Sequence, residues 1–175
     1  MTYAGDLVAL RAREPEDAPY LHAWQSDPET MRWWDRVYPP LPPELLAQRL
    51  ASAPTPSYTE PSFILLDRAT GTPIGWCGLH AVSARHRHAE LAVFVGDAAY
   101  RGKGYGIDAV RTLCRFGFER MNLARVSLTV FPHNPAVRTY ERAGFAHEGL
   151  QRRAFWKRGE WHDLLHMAVF PDTLR

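Results

Sequence analysis

Cysteine is scarce in this chain: Cys77 and Cys114 are the two among 175 residues. Two cysteines build no disulfide framework, so a packed core must hold the fold, and a reducing, cytoplasmic setting is expected. Charge of one sign is equally lacking. Twenty-one Lys and Arg against nineteen Asp and Glu leave a net +2 at pH 7, which gives no electrostatic reason to expect a nucleic-acid partner. No apolar run is long enough to span a bilayer, so no membrane partner is expected. The opening Met-Thr-Tyr-Ala-Gly-Asp lacks the basic-then-apolar order of a signal peptide. Internal repeats and low-complexity tracts are absent too. What is present is 46% hydrophobic and 23% charged, a globular composition, and the length suits one domain over residues 1–175.

The first third of the chain reads as helical after an opening strand at Leu7–Arg13. Glu14-Pro15-Glu16-Asp17 opens a helix to about Ser26, because proline is tolerated and acids are favoured in a first turn. Asp27-Pro28-Glu29 repeats that signal for a short helix through Trp34. Four prolines make Arg36–Pro43 a loop. Glu44–Ala51 is helical, and Pro54–Pro61 is loop again. From Phe63 the pattern changes. Phe63–Asp67 and Pro73–Val82 flank the turn Ala69–Thr72 as a hairpin, and His88–Val95 is a third strand. A helix runs from about Gly104 to Met121, with Ile107, Val110, Leu113, Cys114, Gly117 and Phe118 at helical spacing and Asp108, Arg111, Arg115 and Glu119 largely opposite. A strand at Arg125–Phe131, a helix at Pro135–Arg142 ended by Gly144, and two strands around Lys157–Glu160 complete a mixed α/β domain.

The stretch that carries chemistry is Arg101-Gly102-Lys103-Gly104-Tyr105-Gly106, between the third strand and the long helix. Alternating glycines admit positive φ and close approach of a ligand to the backbone. A helix N-terminus adds free N–H groups and partial positive charge, so the pair suits a pyrophosphate. A Walker loop is excluded, since Lys103 precedes Gly104 rather than Ser or Thr. Gly104-Tyr105-Gly106-Ile107-Asp108-Ala109 does satisfy a dinucleotide G-x-G-x-x-A pattern, but the next strand ends in Val130-Phe131-Pro132 rather than in an acid for a ribose. A glycine turn with no ligand is the bland alternative.

Arg101-x-x-Gly104-x-Gly106, after a strand and before a helix, resembles the pyrophosphate motif of the GNAT superfamily of N-acetyltransferases. Asn134–Phe145 resembles the second signature of that family, although Asn134 stands one residue nearer Tyr140 than in most of its members. The start, Leu10-Arg11 to Met31-Arg32, and the close, Gly159–Asp163 with Met167, are similar to the type that acetylates N-terminal amines of ribosomal proteins. The resemblance implies a mixed, largely antiparallel sheet of about seven strands flanked by helices. It implies transfer of acetyl from acetyl-CoA, without metal or acyl-enzyme, to a primary amine acceptor, and it allows a homodimer. The acceptor is then a protein or peptide N-terminus, or a small molecule such as a polyamine, an aminoglycoside or an amino acid. A catalytically silent acyl-CoA sensor is the alternative of another class.

By resemblance, Val93, Phe94, Val95 and the whole turn Arg101, Gly102, Lys103, Gly104, Tyr105 and Gly106, with Asn134, bind the coenzyme. A backbone N–H near Phe94 or Val95 serves the oxyanion, and the third strand splays from the strand at 125–131 to admit the pantetheine arm. Tyr140 is the acid for the leaving thiolate; its bland alternative is a packed ring. Glu90, with the parity of Ala92 and Phe94, is the candidate base; the alternative is a carboxylate paired with Arg85 or Arg87, or solvated. Trp33, Trp34, Phe155 and Trp161 are candidates for the acceptor wall, whereas Trp24 and Tyr38 read as packing. The basic runs at 85–88 and 152–158 read as solvated faces, with contact to a coenzyme phosphate or an acidic substrate as the minority reading. His162 and His166 have the spacing of a helical metal pair, but on a strand they would stand roughly 13 Å apart, so no metal is expected.

Overall fold

The computed structural model describes residues 3–34, 40–52 and 59–175. The chain runs through β1 (Tyr3–Ala4), β2 (Val8–Ala12), α1 (Ala18–Ser26), α2 (Pro43–Ser52), β3 (Ser62–Asp67), β4 (Pro73–Ser83), β5 (His88–Val95), α3 (Tyr105–Arg120), β6 (Arg125–Val130), α4 (Ala136–Ala143), β7 (Ala146–Lys157) and β8 (Glu160–Val169). The eight strands make one sheet in the order β1-β2-β3-β4-β5-β6-β8-β7. Every neighbouring pair is antiparallel except β5–β6.

Strand alternation sends side chains to two separate apolar layers. Leu65, Leu79, Leu91, Val126 and Met167 pack with Val110, Leu113 and Cys114 of α3. Ile64, next to Leu65 on β3, instead joins Leu21 and Trp24 of α1, with Leu46 and Leu50 of α2 against them. Both thiols are buried and free.

Three details depart from the sequence reading. The sheet has eight strands rather than about seven; the addition is the two-residue β1, paired Tyr3↔Leu10 and Ala4↔Ala9, too short to show a period. The helix expected over 27–34 is a single 3₁₀ turn at Thr30–Trp33. The Asp27 carboxylate captures the N–H of Thr30 at 2.9 Å and its hydroxyl at 2.5 Å, a local bond that competes with helix formation. The third departure is Asp108, expected on the solvent side of α3. It is only 5% exposed. Its carboxylate accepts the backbone N–H groups of Asp6 at 3.2 Å, Leu7 at 2.8 Å and Val8 at 2.9 Å, pinning the β1–β2 turn to the first turn of α3.

The parallel β5–β6 pair is brief. It covers His88↔Arg125, Ala89↔Val126 and Glu90↔Ser127, and then stops. β5 stays paired with β4 as far as Val95, and β6 with β8 as far as Val130. The two strands therefore part company, and among the described residues no strand fills the gap.

Asp108→Asn should destabilise the fold by about 2 kcal/mol, because the amide offers one acceptor oxygen where the carboxylate serves three donors. A denaturant midpoint unchanged from wild type would contradict the pinning role.

Candidate active site

A cleft of about 640 Å³ opens where β5 and β6 diverge. One wall is β5 from Glu90 to Val95; the other is the end of β6 with Asn134, Thr139 and Tyr140. Gly102, Gly104 and Gly106 line one end, and Trp33, Trp34 and Phe155 also line it.

The glycine turn has the geometry its sequence asks for. Gly102 sits at φ +72° and Gly104 at φ +92°, where a Cβ is strained, and Gly104 is the residue that caps α3. Gly106 has ordinary φ, and a Cβ there would meet only Val95 Cγ2, at 4.0 Å. Among the described residues nothing else crowds that position, so the backbone at Gly106 is open on the side of the cleft that it lines. The turn and the first N–H groups of α3 thus fit a phosphate group.

The other residues singled out for the coenzyme behave differently from one another. Val93, Phe94 and Val95 lie along the cleft. Arg101 lines it as well, but its guanidinium runs backwards: Nε donates to Val95 O at 3.1 Å, and Nη2 to Gly96 O at 2.8 Å and Thr30 Oγ1 at 2.5 Å. Lys103 is exposed and Tyr105 half-buried, and neither lines the cleft. The Tyr105 hydroxyl faces Asp67 at 3.4 Å. Asn134 Oδ1 accepts the N–H of Ala136 at 2.9 Å, holding the start of α4. Its one-residue-short spacing still leaves Asn134 and Tyr140 on the same cleft.

Tyr140 is 9% exposed, with its ring 5.8 Å from that of Phe145. Burial pushes its phenol up to about 12, so the hydroxyl stays protonated at any physiological pH, and the residue lines the cleft. Glu90 lines the cleft with its side chain 44% exposed. Its charged neighbour is neither Arg85 nor Arg87: Arg87 bonds Asn122, and His80 Nε2 lies 3.9 Å from the Glu90 carboxylate. His80 Nδ1 donates to Glu90 O at 2.8 Å. That bond requires a proton on Nδ1, since a carbonyl oxygen can only accept.

The aromatic wall is built of edge-on contacts. Trp34 meets Phe94 at 5.3 Å and Trp76 at 5.7 Å, and Trp33 meets His133 at 5.3 Å. Phe131 carries Phe155 at 5.6 Å and His162 at 5.4 Å. Trp161 is apart, 56% exposed and packed on Trp156. Trp24 is core, and Tyr38 lies outside the described residues. Along the strand β8, His162 faces Phe131 while His166 bonds Gln151 at 3.1 Å.

Sequence reasoning missed Thr30, His80, Phe131 and Arg142, all on the cleft. His80 was within reach: it stands directly across the β4–β5 ladder from Glu90. The others depend on how separate elements meet.

Residues 8–146 match the Acetyltransferase (GNAT) domain family. The chain is 27% identical over 164 residues to a spermidine N(1)-acetyltransferase of Escherichia coli, covering 93% of this chain and 86% of that protein. It superposes with a TM-score of 0.84 on spermidine N-acetyltransferase from Vibrio cholerae in complex with CoA and spermine, at 25% identity over 95% of this chain and 97% of that one. A ribosomal-protein-S5-alanine acetyltransferase from Vibrio fischeri shares the fold with a TM-score of 0.85 at 19% identity, over 100% of this chain and 99% of that one. The chain belongs to the GNAT family of acetyltransferases and is an N-acetyltransferase.

Proposed function

We propose that this enzyme moves acetyl from acetyl-CoA to a primary amine by direct attack within a ternary complex. The observation that carries the reading is the single cleft that joins the glycine turn, the parted β5–β6 edges and Tyr140. The coenzyme's pyrophosphate would sit on the N–H groups of the Gly102–Gly106 turn and of α3. Its pantetheine arm would lie in the β5–β6 gap, where the side of β5 facing β6 has, from Leu91 to Val95, no strand partner among the described residues. A backbone N–H near Phe94 or Val95 would receive the oxyanion.

The acceptor amine must lose a proton, since its pKa is about 8 for an α-amine and about 10.4 for an alkylamine such as lysine. Glu90 takes it, directly or through water, with His80 Nε2 beside it at 3.9 Å. Tyr140 serves the departing sulfur. A phenol at about 12 is a weaker acid than a free thiol, near 8.5. Full proton transfer from Tyr140 to sulfur is therefore uphill, and its main contribution is a hydrogen bond that strengthens as charge builds on sulfur.

An α-amine of a protein or peptide suits the wall of Trp33, Trp34 and Phe155, which would receive the first side chain. A polyamine is the second reading, favoured by the spermidine N-acetyltransferase relatives and by two cleft carboxylates, Glu29 and Glu90. Thiol release from acetyl-CoA, measured against peptides with different N-termini and against spermidine, separates the two. Coenzyme binding without release for any amine would instead identify a sensor. Buried, unpaired thiols at Cys77 and Cys114 favour the cytoplasm as the place of action.

Gly104→Val should weaken acetyl-CoA binding at least tenfold, about 1.4 kcal/mol, because the turn requires φ +92° there. Calorimetry finding unchanged affinity in a folded variant would sink the phosphate site. With the best amine, Glu90→Gln should lower turnover and alter the acid limb of the pH–rate profile while coenzyme affinity holds. An unaltered rate and profile would return Glu90 to a structural role. Tyr140→Phe should cut turnover roughly 10²-fold with acetyl-CoA affinity nearly intact. The loss should shrink for an acetyl thioester of a more acidic thiol; equal losses for both thioesters would refute a role at sulfur.

A further inference from the structure

The side chain of Arg101 does not join the turn it begins. It reaches back past the short 3₁₀ turn Ala98–Tyr100 and closes a network with a distant part of the chain. Nε and Nη2 donate to Val95 O and Gly96 O, the last carbonyl of β5 and the one that follows it. Nη2 also donates to Thr30 Oγ1 at 2.5 Å. Thr30 is 9% exposed, and its hydroxyl donates a hydrogen bond to Asp27 Oδ2, 2.5 Å away. The Asp27 carboxylate lies 3.7 Å from Nη2. Its pKa is held below the usual range, chiefly by the bonds from Thr30 and also by the Arg101 charge, so it remains ionised. Gly96 has no room for a side chain, since a Cβ would fall 2.3 Å from the Trp24 ring.

The segment so gripped is the one that brings Trp33 and Trp34 to the cleft. Its far end is held as well, by Lys157 Nζ donating to Trp34 O at 2.5 Å and Arg32 O at 3.1 Å. Lys157 ends β7, the strand of Phe155. The aromatic wall is thus suspended between the glycine turn and the β7–β8 hairpin.

We propose that Arg101 is a positioning residue rather than a phosphate ligand: through Thr30 and Asp27 it fastens the Trp33–Trp34 wall to the coenzyme turn, so that occupation of one is felt by the other. The inference rests on the reading that coenzyme A occupies the turn. Fixing the turn then steadies residues 27–34, and, because such coupling is reciprocal, a settled wall favours the coenzyme in return.

Hydrogen–deuterium exchange with coenzyme A alone tests this without any acceptor. In the wild-type enzyme the coenzyme should slow exchange at residues 27–34 as well as at 101–106. Thr30→Val and Asp27→Asn should still bind coenzyme A within about threefold of wild type by calorimetry, and should protect 101–106, but should lose most of the protection at 27–34. Thr30→Ser, which keeps the hydroxyl, should restore it. Arg101→Lys should resemble Thr30→Val. If Thr30→Val does not fold, the half-exposed Asp27→Asn decides by the same criteria. The proposal is overturned if Arg101→Lys loses coenzyme affinity tenfold or more while the Thr30 and Asp27 variants bind and protect normally, for Arg101 would then be serving phosphate. It is also overturned if 27–34 stays unprotected in the wild type, or equally protected in Thr30→Val and Asp27→Asn. A wild-type chain with no affinity for coenzyme A is a distinct result, seen first in calorimetry, that removes the coenzyme reading and the coupling with it.

Discussion

Three residue pairs of parallel ladder, His88–Glu90 against Arg125–Ser127, decide what the rest of the molecule can do. Had the pairing continued, Leu91–Val95 and Leu128–Val130 would have satisfied one another and the cleft would be sheet. Each strand is instead committed elsewhere, β5 to β4 and β6 to β8. Backbone polar groups in a gap of this kind need water or a ligand. The glycine turn follows directly from the far end of β5, and α4 brings Tyr140 to the opposite wall. A pantetheine arm, which carries amides of its own, is chemically matched to an unpaired strand edge.

The polar groups around this gap divide between holding and reacting. Asp108 and Arg101 direct their charge largely to backbone partners, one to the N–H groups of residues 6–8 and the other to the carbonyls of Val95 and Gly96. Both lie on or beside the segment from the turn to the first helical turn of α3, so that segment is braced on two sides. Glu90 and Tyr140 are the residues proposed for the reaction. They differ in environment as their assigned roles require: the carboxylate is half exposed beside a histidine, and the phenol is buried and held protonated.

Much of this was legible before any coordinates. The bounds of β5 follow from its β-forming residues and match the expectation at both ends. The αL cap at Gly144, φ +102°, ends α4 where the glycine stands in the sequence. That the glycine turn and Tyr140 meet on one cleft was readable, because local spacing and family resemblance converge on them. What escaped is long-range. Asp108 has the helical phase of a solvent residue, and only the arrival of the β1–β2 turn, about a hundred positions earlier in the chain, makes its burial favourable. Thr30 belongs to the same class: Asp27-Pro28-Glu29 announces the start of a short helix, but not that the 3₁₀ turn formed there would be met by Arg101. Trp161 illustrates the converse, an aromatic assigned to the acceptor wall by family resemblance that packs on Trp156 at the exposed hairpin tip.

The central claim is that the parted edge of β5 and the glycine turn form one coenzyme site. Amide NMR during titration with coenzyme A tests it most directly. The account predicts saturable shifts at Val93, Phe94 and Val95 together with Gly104 and Gly106, all following one binding curve. Shifts confined to another face, or a turn that responds while Val93–Val95 does not, would contradict it.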